Sequence, residues 1–183
     1  MRQGGSHLKF WSGVICVSGL SVAIASSQAA TVTGTISVGK VKVAPKFASA
    51  VGYTAPNGRL VSVLVSDKPA DRKEFLQLTK VGANEPLVAG IFEGAWKSLF
   101  FERKLSGFVF SVNADRKILS NEFLVGGKDD AFSIADDDLV LEVTSSAPRF
   151  AGRIRTKEPI LSLGTQKVGL DVTFDVPVGE PGK

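Results

Sequence analysis

The residues best suited to chemistry are few in this chain. Its one cysteine, Cys16, and its one histidine, His7, both lie near the N-terminus. Ser37 and Lys40 have the S-x-x-K spacing of some acylating enzymes, in which a lysine activates a serine at the start of a helix. Here the pair straddles a predicted strand and a glycine turn, and no S-D-N or K-T-G motif accompanies it. We therefore expect no catalytic residue at this motif.

Acidic residues form two clusters that could attract a hard cation. Asp129 and Asp130 precede a short apolar stretch, and residues 136–138 (DDD) follow it. Calcium takes six to eight oxygen ligands, which a binding loop supplies from alternating positions. Consecutive aspartates in an extended chain point apart, so we interpret both clusters as polar loops and predict no metal site.

A binding site for a ligand is predicted at Trp96, Tyr53 and Glu93. A tryptophan in a glycine-containing loop can be a binding contact, although it can also cover a core and bond the backbone through its N–H. A pair of carboxylates about 5 to 10 Å apart would be needed for glycoside hydrolysis. Candidate carboxylates for such a pair are Glu93, Glu102, Asp115 and Glu122.

Residues 1 to about 29 have the pattern of a secretory signal peptide. Arg2 and Lys9 precede an apolar stretch, residues 10–25, and small residues follow, with cleavage expected after Ala29. The apolar stretch of about 16 residues is shorter than the roughly 20 that a membrane-spanning helix needs. We expect a Sec-type signal, a periplasmic or secreted bacterial protein, and no membrane span after cleavage.

Cleavage would remove the only cysteine and the only histidine. A Ser-His-Asp triad, a Cys-His pair, a disulfide and thiol exchange would all be excluded, and sites for zinc, haem or iron–sulfur clusters would lose their usual ligands. We therefore predict no cofactor. Removing two basic residues lowers the formal net charge from +4 to +2. A charge so close to neutral predicts no nucleic-acid partner.

Alternating apolar and polar residues predict a mainly β protein. The predicted strands are 31–38, 40–44, 47–54, 60–66, 87–92, 97–102, 107–113, 121–125, 131–134, 139–144, 149–156 and 167–176. Asn57 and Gly58 predict a hairpin with a type I′ turn. Residues 71–80 (DRKEFLQLTK) lack the alternation and predict the single helix, with Asp71 and Glu74 as a capping box.

These elements favour an antiparallel β-sandwich or barrel with one short helix. Residues 30–178 are expected to form one β-domain, and residues 179–183 a disordered tail. The mature length of about 154 residues is sufficient for a hydrophobic core without disulfides.

Two segments resemble a group of small secreted bacterial β-proteins that has no assigned activity. Residues 60–71 (LVSVLVSDKPAD) contain an apolar strand that ends in an S/T-D-K-P turn, and residues 168–178 (VGLDVTFDVPV) contain a D-V-T-F strand. The resemblance implies a β fold and export, and it brings no site residues.

Three functions remain open from the sequence. The first is a non-enzymatic exported β-domain that binds a protein or a component of the cell envelope. The second is a carboxylate-dependent enzyme that acts on a glycan. The third is a carrier of a small apolar ligand in a barrel lined by phenylalanines.

Overall fold

The structure is a computed structural model, and it describes residues 29–56, 58–70, 91–102, 105–125, 131–162 and 166–179. Ten strands and one α-helix make up this part of the chain. The strands form one continuous mixed sheet that is not closed into a barrel, and two portions of it face each other as in a sandwich. The predicted mainly β, sandwich-like class is confirmed, and the barrel alternative is wrong.

The first portion, which we call sheet A, is built around the long strand near the C-terminus. Its strands are β1 (Thr31–Val38), β2 (Val41–Val43), β7 (Leu139–Ser145), β8 (Arg149–Thr156), β9 (Ile160–Ser162) and β10 (Gln166–Gly179). The order across sheet A is β2-β1-β10-β8-β7, and every neighbouring pair is antiparallel. Strand β9 also pairs with the beginning of β10.

The second portion, sheet B, is an antiparallel meander. Its strands are β3 (Phe47–Ala55), β4 (Gly58–Ser66), β5 (Gly107–Asn113) and β6 (Ile118–Leu124), paired in that order. The two portions are joined where Val178 of β10 pairs in parallel with Ala50 of β3.

The hairpin between β3 and β4 is confirmed, but its turn lies one residue earlier than predicted. The register pairs Ala55 with Gly58, so Pro56 is the first loop residue. Proline fixes φ near −65°, which excludes the positive φ that a type I′ turn needs at that position. Gly58, with φ of 112°, takes the left-handed conformation at the start of β4.

The main core lies between sheets A and B, and phenylalanines fill much of it. Phe110 of β5 and Phe174 of β10 meet across the two sheets with their ring centroids 5.7 Å apart. Phe108 and Phe123 are fully buried beside them, with centroids 4.7 Å apart. Because aromatic pairs at such distances are already packed, this core is filled by side chains.

The helix, α1 (Ile91–Phe101), covers the other face of sheet B. Trp96 and Phe100 are buried against it, and each contributes about 1.5–3 kcal/mol by leaving water. The prediction of strands at 87–92 and 97–102 is therefore wrong where it overlaps the helix. Trp96 and Phe100 are four residues apart, so an α-helix places both on one face, whereas the adjacent apolar residues had suggested a strand. The helix predicted at 71–80 lies outside the described residues.

The segment that follows sheet B also differs from the prediction. Residues 131–134 were expected to form a strand, but only Phe132 forms an isolated bridge, to Phe123. The amide of Asn121 takes the place of a neighbouring strand, because its Oδ1 accepts from the Ile134 N–H at 3.1 Å and its Nδ2 donates to the Ile134 carbonyl at 2.9 Å. Strand β9 was not predicted, and β10 continues through Gly179, the first residue of the expected tail.

Candidate binding face of sheet A

The outer face of sheet A collects the polar side chains of three neighbouring strands. In β10, Val172 and Phe174 point into the core, so the residues between and beside them point outward. The register places their cross-strand neighbours on the same face. We call this the outer face; its central residues are Thr31, Thr33 and Thr35 of β1, Asp171, Thr173 and Asp175 of β10, and Arg149, Arg153 and Arg155 of β8.

An arginine–aspartate pair lies at the centre of the outer face. The Nε–H of Arg153 donates to Oδ1 of Asp171 at 2.8 Å, and its Nη2 donates to Oδ2 at 2.7 Å. These hydrogen bonds lower the pKa of Asp171 from its ordinary value and raise the pKa of Arg153. Both side chains are about half exposed, so a partner can reach the pair.

The pair borders a shallow depression of about 330 Å³ that Thr33, Gly34, Thr35 and Thr173 also line. Gly34 permits the close approach of β1 to β10 at this point. It has a φ of 130°, and a Cβ atom there would lie 2.0 Å from the carbonyl oxygen of Asp171. No residue with a side chain can take this position without moving the backbone.

Two further ion pairs flank the depression. The Nε–H of Arg149 donates to Oδ1 of Asp175 at 2.6 Å, and its Nη2 donates to the backbone carbonyl of the same residue at 3.1 Å. Arg155 lies 3.6 Å from Glu142 of β7. Three arginines therefore face three carboxylates, so these ion pairs together carry no net charge.

The outer face can both donate and accept hydrogen bonds. The bonds from Arg153 to Asp171 use two of its five N–H groups, which leaves three, two of them on Nη1, as donors beside the depression. Threonine hydroxyls around it can donate or accept. Such a surface suits a partner that presents both carbonyl or carboxylate oxygens and N–H or O–H groups.

The residues predicted to bind a ligand lie elsewhere. Trp96 and Tyr53 are 1 % and 4 % exposed and belong to the cluster between α1 and sheet B. Glu93 lies near the start of α1, where the structure describes the backbone only. The structure thus brings Trp96 and Tyr53 together in one cluster, within the interior. This placement agrees with the alternative in which Trp96 covers a core.

The hydroxyl of Tyr53 belongs to a small buried polar group. Ser62 and Ser111 are both fully buried on the face of sheet B beneath α1. Their Oγ atoms are 2.8 Å apart, and the Ser62 hydroxyl donates to the Tyr53 hydroxyl oxygen at 3.4 Å. The three hydroxyls thus form one hydrogen-bonded group, as is usual for polar side chains in an interior.

The other sequence candidates do not form a site in the described part of the chain. Ser37 donates to the Gly169 carbonyl at 3.2 Å. Glu122 forms an ion pair with Lys97 of α1, and Asp115 lies in the turn between β5 and β6. Residues 136–138 form an exposed 3-10 turn, while Asp129 and Asp130 lie outside the described residues. Among the residues described, no group of three or more His, Cys, Asp or Glu could hold a metal ion.

Sequence reasoning missed the outer face, although its signal was present. Thr31, Thr33 and Thr35 alternate with other residues, as do Asp171, Thr173 and Asp175. Because side chains alternate between the two faces of a strand, the threonines of β1 share one face, and so do the three residues of β10. Only the strand order shows that the two groups are adjacent.

Comparisons with known proteins found no protein similar to this chain. No protein-family model, no curated protein and no solved structure matches the chain. In the described residues, no helix has the length and apolar character needed to cross a membrane.

Proposed function

We propose that this protein is an exported, non-enzymatic β-domain that binds a protein or a component of the cell envelope through the outer face of sheet A. One observation carries the proposal: the half-exposed Arg153–Asp171 pair beside a depression lined by threonines. Export is supported by the signal-like pattern of residues 1 to about 29.

The state of Asp171 favours binding over acid–base catalysis. A carboxyl group that acts as a proton donor near neutral pH needs a raised pKa. The hydrogen bonds from Arg153 lower the pKa of Asp171 instead, and they fix the carboxylate in the ionised form. An ionised, geometrically fixed pair serves recognition, because its remaining donors and acceptors are held in place.

The balance of charge on the outer face defines the chemical class of partner. A surface that binds nucleic acid gains affinity from an excess of Lys and Arg over acidic groups. Here Arg149 and Arg153 are both paired with aspartates, and Arg155 is close to Glu142. A polar partner with little net charge, such as a peptide segment or a hydroxyl-rich envelope polymer, suits this arrangement best.

The two alternative functions have less support. An apolar carrier was expected to be a closed barrel, but the sheet is open and the phenylalanines pack against one another. A glycan-cleaving enzyme would need converging carboxylates, and Glu122 is paired with Lys97 of α1 while Asp115 lies in a turn.

Site-specific photocrosslinking in the native host tests the proposal. A photoreactive residue at Thr35 lies beside the depression, whereas one at Lys117, exposed in the β5–β6 turn of sheet B, serves as the matched control. We expect a defined crosslinked product from position 35 and none from position 117, and we expect Arg153→Glu to abolish that product.

The identity of the product distinguishes a protein from an envelope polymer. A protein adduct shifts to one larger mass that protease digestion identifies, whereas a polymer adduct is heterogeneous and is sensitive to enzymes that degrade the envelope polymer. Equal crosslinking from positions 35 and 117, or a product that survives Arg153→Glu, would overturn the assignment of the site.

A further inference from the structure

The two edges of sheet A differ in charge. In the described part of the chain, the outer edges of β2 and β7 pair with no other strand. Strand β2 contains Lys42 and follows Lys40, whereas β7 contains Glu142 and follows the aspartates at 136–138. One edge thus presents lysines and the other presents carboxylates, of which Glu142 also lies 3.6 Å from Arg155 of β8.

The two edge strands also run in the same direction. The order β2-β1-β10-β8-β7 contains four antiparallel neighbours, so the direction reverses four times between β2 and β7. A second copy placed beside the first without rotation would therefore present its β2 parallel to β7. The outer faces of both copies would also lie on the same side of the extended sheet.

The side chains of the two edges are complementary in that arrangement. The register places Lys42 and Glu142 on the outer face, because Lys42 lies opposite Ser37 and Glu142 opposite Arg153. Val41 and Val43 point to the inner side of β2, as Leu141 and Val143 do in β7. Val41 is 43 % exposed and Leu141 is half-buried, so both edges leave apolar surface uncovered.

A single parallel register brings the charged residues together and the apolar residues together. If Lys42 of one copy lies beside Glu142 of the next, Val41 lies beside Leu141 and Val43 beside Val143. The outer row then gains an opposite-charge pair, and the inner row gains apolar contacts next to the main core. Cross-strand pairs of both kinds stabilise sheets.

The symmetric alternatives lack this complementarity. Pairing β7 with β7 of a second copy would bring the acidic residues of two copies together, and pairing β2 with β2 would do the same for lysines. Like charges that face each other across paired strands are destabilising. Lysines at an edge, and an edge strand as short as β2, also disfavour non-specific pairing with other strands. The same lysines become favourable contacts when the partner edge is acidic.

We propose that sheet A continues from one molecule to the next through parallel pairing of β2 of one copy with β7 of another. This contact is heterologous, because it uses a different surface on each partner, and it leaves a free edge at both ends. It therefore builds open-ended linear assemblies rather than closed dimers. Because β2 has three residues, each contact is weak, and assembly requires a high local concentration.

Charge exchange between the two edges tests the proposal. The protein is expressed with its own N-terminal segment, purified after export, and followed by sedimentation velocity between about 10 µM and about 1 mM, the range in which weak contacts form. We expect species that grow with concentration beyond the dimer. Glu142→Lys and Lys42→Glu should each weaken association about tenfold, since an attractive pair becomes a repulsive one. The double variant should restore it.

Matched control variants distinguish an effect of the edge residues on association from an effect of the overall charge. Lys117→Glu and Glu158→Lys make the same charge changes at exposed positions outside β2 and β7, and they should leave association unchanged. Circular dichroism confirms that each variant is folded.

Three outcomes would overturn the proposal. The first is a protein that stays monomeric at about 1 mM, a concentration at which even weak specific contacts form. The second is association that stops at the dimer, which indicates a symmetric contact. The third is a double variant that remains as weak as the single variants, which shows that Lys42 and Glu142 do not meet.

Discussion

Arg153 lies opposite Thr173 in the register of β8 and β10, yet its guanidinium bonds Asp171, the outward-facing residue two positions away on β10. This diagonal contact places the charged groups beside Gly34, where a Cβ atom would collide with the backbone carbonyl of Asp171. The central pair of the outer face thus depends on both the strand register and one glycine.

The Arg153–Asp171 pair should make stability depend on pH in acid. The pKa of Asp171 is lowered in the folded protein, mainly by the hydrogen bonds from Arg153. Its contribution is therefore complete above the pKa of the unfolded carboxyl group, about 4, and is lost as the pH falls through the lower folded value. Urea unfolding from about pH 2 to about pH 7 should show a difference between wild type and Asp171→Asn that disappears in acid. Arg153→Gln should give the same profile, and a difference that grows in acid would contradict the assignment.

Gly34→Ala should destabilise the fold by about 3 kcal/mol. The added Cβ meets the Asp171 carbonyl at 2.0 Å, and the φ of 130° is itself strained for alanine. Gly58→Ala is the matched control, because Gly58 also has a positive φ but has no atom within 4 Å of the added Cβ. It should cost about 1 kcal/mol, the strain alone. Equal losses in the two variants would show that the approach of β1 to β10 is not restrictive.

Ser62 and Ser111 should be energetically coupled beneath α1. Removing either hydroxyl breaks the 2.8 Å hydrogen bond between two fully buried side chains, so Ser62→Ala and Ser111→Ala should each cost about 1–3 kcal/mol. The double variant should lose less than the sum of the two, by about 1 kcal/mol. Chemical denaturation of all four proteins gives the coupling energy, and strict additivity would show that the hydroxyls act independently.

Asn121 should hold the segment between β6 and β7 in place. Its amide bonds both backbone groups of Ile134 and donates to Oδ1 of Asp136 at 2.9 Å. Asn121→Ala should cost about 2–3 kcal/mol and should increase hydrogen exchange at the Ile134 N–H. Asn113, whose exposed side chain bonds only the Lys117 N–H among the described contacts, is the control and should lose about 1 kcal/mol on substitution by alanine. Unchanged exchange at Ile134 in Asn121→Ala would argue against this role.

The strands could be predicted from the sequence where one face is buried and the other is not. Period-two alternation located β1, β8 and β10 closely, because their inner residues are mainly apolar and most of their outer residues are polar or charged. It failed near α1, where Leu99, Phe100 and Phe101 are consecutive and fit either a strand or a helix. Only the tertiary contact of Trp96 and Phe100 with sheet B decides between them.

The candidate site was less predictable than the strands. Trp96 and Tyr53 stood out by residue type, yet large aromatic residues are also what an interior packs best. The outer face consists of common residues whose significance depends on proximity. Thr33 and Arg153 are 120 positions apart in sequence, and they meet only because β10 lies between β1 and β8.

The position of β10 has a consequence for when the domain can fold. This strand pairs with β1, β8 and β9 and also joins sheet A to sheet B, although it is the last described strand of the chain. Its partner β1 begins at Thr31, so the central pairing joins residues more than a hundred positions apart. Such distant contacts form slowly. The sandwich therefore cannot be completed until β10 is available to pair, and under the proposed export this strand would have to cross the membrane before the domain could fold.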